Sequence, residues 1–477
     1  MIKNSNNMKR YSIITVLGVL LAFVTGCADD PNYKMTRPDV HDHPAITEIP
    51  DFHTHRAPLY WSVYEACIDQ QDKPFEKREF TLDQWKEVID WVSTELKPHG
   101  YDMICTDGFL DTRCEDGIYK TWYGGTSYRD LVEYAHSKGL KVGVYDIPMT
   151  YTCAERERVP GTEYTMGSLL YNPDLDEVVN PTASEPYKYV VMSHPGAREY
   201  IRGMVRHYKQ LGFDFLRLDY LSHYEDGFDR NTIVGKGYGR GNYADLLETI
   251  AMEAKEQGMM VSLVMPHLYN DAELESRYGH MFRIVRDTWN GGWLHTSSHD
   301  RGKVYGRWSN CNNQFDGFTY WSHLSGRGKV ILDGDFTILH SFETDAEKKF
   351  CISIQLMAGG PIAVADQPGT IGDNLKYYTN DEMLALNQDG FVGKPMSDVV
   401  DSEGSNVWYG RMSDGDYVVG LFNREDTHKD FNLTLSDLGI EGQWKVRDLW
   451  EHADEGTASA IRAKVEPHGC KIVRLSK

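Results

Sequence analysis

Short apolar runs alternate with helical stretches through most of the chain, and this alternation constrains the fold more than any other feature. The apolar runs, which are the predicted strands, cover residues 58–65, 101–109, 140–148, 211–221, 260–267 and 280–289. Helical periodicity follows over residues 82–95, 127–138, 197–210 and 243–257. Strands and helices that alternate at this length predict an α/β fold in which parallel strands close into a (β/α)8 TIM barrel. We assign residues 51–395 to this barrel.

The pattern changes after residue 395. Short runs such as YVVGLFN and CKIVRLSK alternate apolar and polar residues, and Gly, Asp and Asn turns separate them. The runs leave no room for helices between them. We therefore expect a C-terminal antiparallel β-sandwich over residues 396–477, packed against the barrel because its last strands end the chain.

The first residues have the layout of a secretory signal. Basic side chains precede a short apolar run that ends in Val24-Thr25-Gly26-Cys27, which resembles the lipobox of bacterial lipoproteins. The sequence predicts a signal peptide over residues 1–27, lipidation of Cys27, and a polar, proline-bearing tether over residues 28–50. The expected location is the outer membrane, facing the cell surface or the periplasm, with the lipid anchor as the contact to the membrane.

Composition narrows the choice of partners. A formal net charge of −21 argues against nucleic acid and against an anionic membrane surface, and it suits a neutral substrate. The eight cysteines form no spacing typical of a zinc site and suggest no disulfide framework. We therefore predict that the protein uses no metal and no cofactor.

Asp219 is the first candidate catalytic residue, because it places a charge at the end of an otherwise apolar strand. The strand over residues 211–221 follows a helix, and barrel enzymes carry their chemistry at the carboxyl ends of their strands. Arg217 lies two residues earlier on the same face, so we expect it to keep Asp219 ionised. An ionised carboxylate there can be a nucleophile, and the alternative is a structural Asp–Arg pair that closes the barrel end.

Asp287 is a second carboxylate at the end of an apolar strand. Arg283 stands four residues before it and Arg286 is adjacent. Two aspartates on different strand ends can face each other across a barrel mouth. Cleavage of a glycosidic bond needs such a pair, one carboxylate to attack the anomeric carbon and one carboxylic acid to protonate the leaving oxygen. The alternative for Asp287 is an ion pair with either arginine.

Several segments resemble one family in the same order along the chain. FLRLDYL around Asp219 resembles the nucleophile strand of glycoside hydrolase family 27, the α-galactosidase or melibiase group, and Arg283-x-x-x-Asp287 resembles its acid/base strand. PLYWSVYE, ELKPHGYDMICTDGF and GLKVGVYDIP resemble its first three strands, and NDEMLALNQD its barrel-closing helix. NVWYGRM, GLFNRED and PHG match its C-terminal sandwich. Collinear motifs over this length are far more specific than any one of them.

The resemblance implies a retaining, exo-acting glycosidase that removes terminal α-galactoside-like residues. Asp219 would form the covalent glycosyl-enzyme, and Asp287 would act first as acid and then as base. Arg283 would orient Asp287 and touch the sugar. The substrate-binding residues that the resemblance implies are Trp61, Thr106, Asp107, Arg217, His267 and Arg283.

Departures from the family pattern keep the identity of the sugar open. The family usually has two adjacent aspartates on the second strand that hold the galactose 4- and 6-hydroxyls, whereas this chain has Thr106 and Asp107. Arg217 replaces the usual lysine, and His267 lies where a Cys-Glu-Trp segment is common. We therefore expect relaxed selectivity at C6, and the family's β-L-arabinopyranosidases and dextran-end-cleaving hydrolases remain alternatives.

Two other classes of protein also fit parts of the sequence. Asp51-Phe52-His53-Thr54-His55 resembles the first strand of the metal-dependent amidohydrolases, although His267 is the one further ligand in a plausible place. A catalytically inactive, sugar-binding lipoprotein is the third reading. The two strand-end carboxylates favour the glycosidase over both.

Overall fold

The computed structural model describes residues 56–115, 117–173, 176–178, 188–226, 228–229, 232–233, 239–297, 304–305 and 310–477. The predicted signal peptide, Cys27, the tether, His53 and His55 lie outside these residues. Among the helices of the described part, none is both long and apolar enough to cross a bilayer.

The predicted barrel is confirmed. Its parallel strands are β1 Leu59–Ser62, β2 Met103–Cys105, β3 Lys141–Asp146, β4 Phe215–Leu218, β5 Met260–Leu263, β6 Met281–Arg283, β7 in two segments Ile331–Asp333 and Phe336–Thr337, and β8 Ile362–Val364. Neighbours along the chain pair from β1 to the first segment of β7. The second segment of β7 pairs with β8, and β8 pairs with β1. The sheet therefore closes, with a kink in β7 at Asp335, whose φ is 70°.

Helices surround the barrel. The longer ones are α1 Leu82–Trp91, α2 Tyr128–Ser137, α3 Ala197–Leu211, α4 Gly239–Gln257, α5 Tyr269–Tyr278, α6 Gln314–Trp321, α7 Asp345–Met357 and α8 Asp381–Gln388. Short helices are Tyr64–Ile68, Leu221–Asp226, Trp293–Ser297 and Leu375–Tyr378. Helix α1 begins at a capping box of Thr81 and Gln84, which satisfies amide groups that the first turn leaves without partners. Its buried residues Trp85, Val88 and Ile89 recur at helical spacing and face the barrel.

Small antiparallel ribbons decorate the loops of the barrel. In the first, Trp122–Tyr123 pairs with both Thr112–Arg113 and Thr126–Ser127. The others pair Thr150–Tyr151 with Lys188–Tyr189, Tyr171–Asn172 with Glu177–Val178, Phe228–Asp229 with Thr232–Ile233, and Val304–Tyr305 with Asn310–Cys311. The ribbon at Thr150–Tyr151 closes the base of the polar insertion between β3 and α3.

The C-terminal sandwich is also confirmed. One sheet has the order β9 Lys394–Pro395, β10 Val407–Arg411, β11 Tyr417–Phe422, β16 Cys470–Ser476, β13 Trp444–Asp448 and β14 Ala453–Ala458, and the second pairs β12 Lys429–Thr434 with β15 Ala460–Val465. All these pairs are antiparallel. Alternate residues such as Val419 and Leu421 fill the core between the sheets, as a period of two requires. Because β9 belongs to this sheet, the sandwich starts at Lys394, slightly before the predicted boundary.

The sandwich packs tightly on the barrel. Phe422 of β11 contacts Phe350 of α7 and Phe315 of α6 edge-on, with ring centroids 5.0 and 5.5 Å apart. Arg424 forms a buried ion pair with Asp316 of α6 at 2.8 Å. Two domains joined by buried aromatic rings and a buried charge pair form one body, as the position of the sandwich at the end of the chain predicted.

Candidate active site

Asp219 lies where β4 ends and is almost fully buried. Its Oδ2 accepts a hydrogen bond from the Tyr145 hydroxyl at 2.7 Å, and its Oδ1 accepts one from the Tyr220 amide at 2.6 Å. Burial and the negative charge of Asp287 raise its pKa to about 6, although the two donors and the charge of Arg283 oppose that rise. Since the charge of Asp287 acts on it, the two predicted catalytic carboxylates lie in one site.

Arg217 does not pair with Asp219, which corrects the expectation drawn from their spacing. Its Nη1 donates to Asp333 Oδ2 and its Nη2 to Asp335 Oδ1, both at 2.9 Å, and its guanidinium lies over the Phe336 ring. Both carboxylates belong to β7, on the far side of the barrel interior. Arg217 is therefore part of the barrel's buried charge network, and the pKa of Asp219 rises through burial instead of being held low by this arginine.

Arg283 and Asp287 form an ion pair, which both the family resemblance and the structural alternative for Asp287 implied. Arg283, the last residue of β6, donates from Nη2 to Asp287 Oδ1 at 2.8 Å and from Nη1 to Asp335 Oδ1 at 2.5 Å. The Asp287 side chain keeps a quarter of its surface exposed, whereas Arg283 is buried. Asp287 thus faces solvent at the barrel mouth while its partner is anchored in the interior.

Asp335 connects the two arginines. It accepts from Arg217 and Arg283, and its Oδ2 accepts from both the amide and the hydroxyl of Thr288 at 2.7 Å. Burial alone would raise its pKa, but the charges of Arg283 and Arg217 outweigh burial and hold the pKa below the ordinary value. The residue therefore stays ionised and ties β4, β6 and the loop after β6 together.

Asp107 lies in the same site, after β2. Its Oδ1 accepts from the Gly108 amide at 2.7 Å, and its Oδ2 lies 3.6 Å from Arg217 Nε. Burial raises its pKa to about 7, Arg217 opposes the rise, and Asp219 adds to it, so Asp107 is near the predicted nucleophile. Thr106 is different: it is fully buried, and its Oγ1 accepts from the Tyr145 amide at 2.9 Å. The Thr106 hydroxyl therefore bonds the backbone of the neighbouring strand β3 and is not open to the mouth.

Trp61 and His267 also lie elsewhere than the resemblance implied. Trp61 points outward from β1, where it packs edge-on against Trp85 of α1 and donates to the Asp366 carbonyl. His267 is fully buried after β5, with Nδ1 2.9 Å from Glu225 Oε2. Glu225 in turn accepts from Arg240. These two residues support the barrel wall and a buried charge cluster in this structure.

The sequence reasoning missed an aromatic edge beside the carboxylates. Tyr64 accepts a hydrogen bond from the Trp289 amide at 3.0 Å, and the charges of Asp335, Asp287 and Asp107 add to the burial that raises its pKa. Phe109 lies between Tyr64 and Trp289, with ring centroids 6.5 and 6.2 Å away. Trp289 is 39% exposed. The exposed Trp289 ring beside these carboxylates suits the apolar face of a sugar ring. The strand-end rule applied to β1 and β3 would have found Tyr64 and Tyr145.

Backbone strain concentrates at the same end of the barrel. Five non-glycine residues at the ends of barrel strands or in the loops that follow them adopt left-handed backbone, with φ between 48° and 70°: Phe109, Tyr220, Met265, Trp289 and Asp335. Such conformations cost on the order of 1–3 kcal/mol each and cluster at functional sites. Tyr220 directly follows Asp219, and Asp335 is itself one of the carboxylates described above. The strained backbone therefore favours the mouth as the functional end.

A cavity of about 920 Å³ lies at the opposite pole. Residues at the starts of strands line it, including Lys141, Asp214, Met260 and Ile331. The amino-terminal face of a TIM barrel contributes to stability, and the chemistry resides at the other face. We therefore place the candidate site at the mouth despite the size of this cavity.

No group of three or more His, Cys, Asp or Glu side chains in the described ranges is arranged to hold a metal ion. The paired histidines that suggested an amidohydrolase, His53 and His55, lie outside those ranges. His267, the one further candidate ligand, is hydrogen-bonded to Glu225.

Comparison with known proteins identifies the family. Residues 402–475 match the model of the alpha galactosidase C-terminal beta sandwich domain. Isomalto-dextranase of Arthrobacter globiformis is 36% identical over 446 residues, which cover 88% of this chain and 67% of that protein. The chain belongs to glycoside hydrolase family 27. It is thus a glycoside hydrolase of the α-galactosidase-like family, as its motifs predicted.

Solved structures of family 27 resemble the whole described fold. The Arthrobacter globiformis isomalto-dextranase complexed with panose has a TM-score of 0.79 at 33% identity and covers 90% of this chain and 76% of its own. A β-L-arabinopyranosidase of family 27 from Geobacillus stearothermophilus, in complex with arabinose, has a TM-score of 0.68 at 18% identity and covers 88% and 97%. The second likeness supports the fold alone.

Proposed function

We propose that this family 27 enzyme is a retaining, exo-acting glycosidase that cleaves α-1,6-linked glucan of the dextran type and releases isomaltose from its ends. The motifs alone favoured terminal α-galactosides. The isomalto-dextranase that is 36% identical over 88% of this chain shifts the preference to dextran. The residues at the end of β2 supply an independent chemical reason.

The end of β2 carries the choice between the two substrates. A galactose site with two adjacent aspartates holds a free 6-hydroxyl through a carboxylate, a charge-assisted hydrogen bond that needs a hydroxyl donor. Inside an α-1,6-glucan the C6 oxygen carries the next glucose and has no hydrogen to donate. A carboxylate buried against that oxygen would lack a partner and would weaken binding. This chain has Thr106 at that position; its hydroxyl accepts from the Tyr145 amide and does not open to the mouth, so the end of β2 presents only the Asp107 carboxylate to the site.

Asp219 and Asp287 supply the two steps of the proposed mechanism. Asp219 attacks the anomeric carbon, the bond from that carbon to the leaving glucose O6 breaks, and Asp287 gives its proton to that oxygen. Water then attacks the anomeric carbon, Asp287 takes a proton from the water, and Asp219 leaves as a carboxylate. The Tyr145 and Tyr220 donors favour the ionised form of Asp219 that the first step requires.

The test is product analysis with dextran, panose, isomaltotriose and an aryl α-galactoside. We expect isomaltose as the first product from dextran, released as the α-anomer in a time-resolved NMR assay, and little hydrolysis of the galactoside. A higher kcat/KM for the galactoside than for isomaltotriose would contradict the proposed dextran specificity and would indicate an α-galactosidase. First release of the β-anomer would contradict retention.

We also propose that Cys27 carries a lipid and holds the enzyme at the outer membrane, where an extracellular polymer is accessible. The lipobox-like ending of the signal peptide supports this. Replacing Cys27 by Ala should move the protein from the membrane fraction to the soluble fraction without changing its activity. Unchanged fractionation would contradict the anchor.

A further inference from the structure

The loop that carries Asp287 is attached to the C-terminal sandwich. The loop leads into the short helix Trp293–Ser297. The Trp293 ring stacks on His468 of the sandwich, with centroids 4.1 Å apart and planes 18° apart, and meets Phe350 of α7 edge-on at 4.9 Å. Ser297 Oγ accepts from Arg424 Nε at 2.5 Å. Two sandwich residues therefore hold a segment that begins six residues after Asp287.

His468 itself is held between the two domains. Its Nδ1 lies 2.9 Å from Glu347 of α7, and its Nε2 lies 2.9 Å from Asp426 of the sandwich. One fifth of the side chain is exposed. The ring therefore has a defined plane, fixed at both nitrogens, and offers that plane to Trp293.

An unbroken set of contacts runs from the helix back to Asp287. His295 Nε2 lies 3.2 Å from Thr288 Oγ1 and 3.4 Å from the Gly334 carbonyl, and its pKa of about 4, lowered by burial, keeps it neutral. Thr288, next to Asp287, donates twice to Asp335. Asp335 accepts from Arg283, and Arg283 donates to Asp287. A shift of the helix would therefore reach Asp287 through its neighbour and through its arginine.

We propose that His468 is a positioning residue for Asp287, acting through Trp293, so that the sandwich helps to set the position of the proton donor. The inference rests on the proposed role of Asp287. Loss of the stack would let the helix and Thr288 move and would misplace the carboxyl relative to the leaving oxygen. A misplacement of about 1 Å costs up to roughly 100-fold in rate.

The sandwich offers a closely matched control in His452. Its Nδ1 lies 2.8 Å from Glu382 of α8, so it also joins sandwich to barrel through a His–Glu pair. Both histidines have left-handed backbone, with φ of 54° at His468 and 52° at His452, so Ala meets the same backbone strain at either position. His452 makes no contact with the Asp287 loop among the described interactions.

The experiment compares aryl glycosides of the sugar that the wild-type enzyme hydrolyses, one with a phenyl and one with a 2,4-dinitrophenyl leaving group. Only the phenyl group needs a proton to leave. His468→Ala should lower kcat/KM about 10- to 100-fold for phenyl and under about threefold for dinitrophenyl. His452→Ala should change both by under about threefold.

Asp287→Ala is the reference that separates the two proposals. If Asp287→Ala shows no dependence on the leaving group, the acid/base assignment fails. If Asp287→Ala shows that dependence but His468→Ala lowers both substrates equally, the positioning role of His468 fails by itself. A Trp293→Ala and His468→Ala double-mutant cycle that gives additive losses would also overturn it.

Discussion

The two ends of the barrel contain ion pairs of the same length in very different surroundings. At the mouth, Arg217 and Asp333 are 2.9 Å apart with 1% and 0% of their side chains exposed. At the base, Lys141 and Asp102 are also 2.9 Å apart, with 60% and 41% exposed. Buried charges persist only where hydrogen bonds and opposite charges compensate for the lost water. Burying charged groups at the mouth therefore costs desolvation free energy, whereas the charges at the base stay in water beside a large cavity.

This contrast shows why cavity volume and functional location diverge in this molecule. The cavity at the base is lined by strand starts and glycine-rich turns, and one of its lysines, Lys141, forms a solvent-exposed ion pair with Asp102. The mouth combines buried carboxylates, two buried arginines and left-handed backbone at strand ends. Strain and buried charge both oppose folding, so their coincidence at one end is better evidence of function than empty space.

The strongest test of the comparison uses two aspartates at the two ends of one strand. Asp219 follows β4 and Asp214 precedes it. Asp219→Asn removes the proposed nucleophile and should lower kcat by at least about 10⁴-fold on every substrate. Asp214→Asn, at the base, should lower it by under about threefold, because this aspartate lies far from the reacting atoms. Initial rates on the preferred substrate measure both, and a comparable loss at Asp214 would contradict the assignment of the mouth.

The second test compares the two ion pairs. Arg217→Met leaves the buried carboxylates of Asp333 and Asp335 with less compensation, so the free energy of unfolding should fall by about 3–5 kcal/mol. Lys141→Met breaks an exposed pair of the same length and should cost under about 1 kcal/mol. Urea unfolding followed by circular dichroism measures both. Equal losses would mean that burial does not distinguish the two ends.

Much of this architecture could be predicted from the sequence because the signals are local. The strand–helix alternation predicted the barrel, the period of two predicted the sandwich, and the strand-end rule predicted that Asp219 and Asp287 lie at the same end of the barrel. The contact between Arg283 and Asp287 was implied by the family resemblance and by the alternative of an ion pair. Each of these inferences uses residues close together in the chain.

The errors concern partners that lie far apart in the chain. Arg217 binds carboxylates 116 and 118 residues away, which a local spacing rule cannot reveal. Trp61 and Tyr60 alternate on β1, and the sequence does not say which face of the strand turns inward; Tyr60 is the inward one. Asp335 was overlooked because the kink in β7 hides a strand end inside the run LDGDF. From its position next to Asp107, Thr106 was expected to contact the substituent at C6 of the sugar. Its hydroxyl instead accepts a hydrogen bond from the neighbouring strand β3.

The third test concerns the pH dependence at the mouth. The Tyr145 hydroxyl stabilises the ionised form of Asp219, whose pKa is about 6, so Tyr145→Phe should raise that pKa further. The nucleophile must be ionised, so the acid limb of kcat/KM should lie near pH 6 in the wild type and move to higher pH in the variant. A hydrogen bond to a charged group is worth about 1.5–3 kcal/mol, so the acid limb should move by about one to two pH units.

Tyr208→Phe is the matched control for this shift. The Tyr208 hydroxyl donates to Asp146 Oδ2 at 2.6 Å, so it too is a buried tyrosine bonded to a strand-end aspartate. Its removal should leave the acid limb in place. An acid limb that moves equally in both variants, or moves to lower pH in Tyr145→Phe, would show that Tyr145 does not control the ionisation of Asp219.

The smallest effect is expected at Thr106, a mouth residue that the structure assigns to the sheet. Thr106→Val keeps the shape of the side chain and removes the oxygen that accepts from the Tyr145 amide, leaving a buried donor without its partner. The free energy of unfolding should fall by about 1–3 kcal/mol. Because the hydroxyl does not open to the mouth, the ratio of kcat/KM between an aryl α-isomaltoside and an aryl α-galactoside should change by under about threefold.

Thr106→Ser, which keeps the acceptor, should retain more stability than Thr106→Val. A selectivity ratio that changes more than tenfold in Thr106→Val while stability is unchanged would mean that this hydroxyl reads the sugar after all, and that the mouth contains one more recognition group than the contacts around Tyr145 indicate.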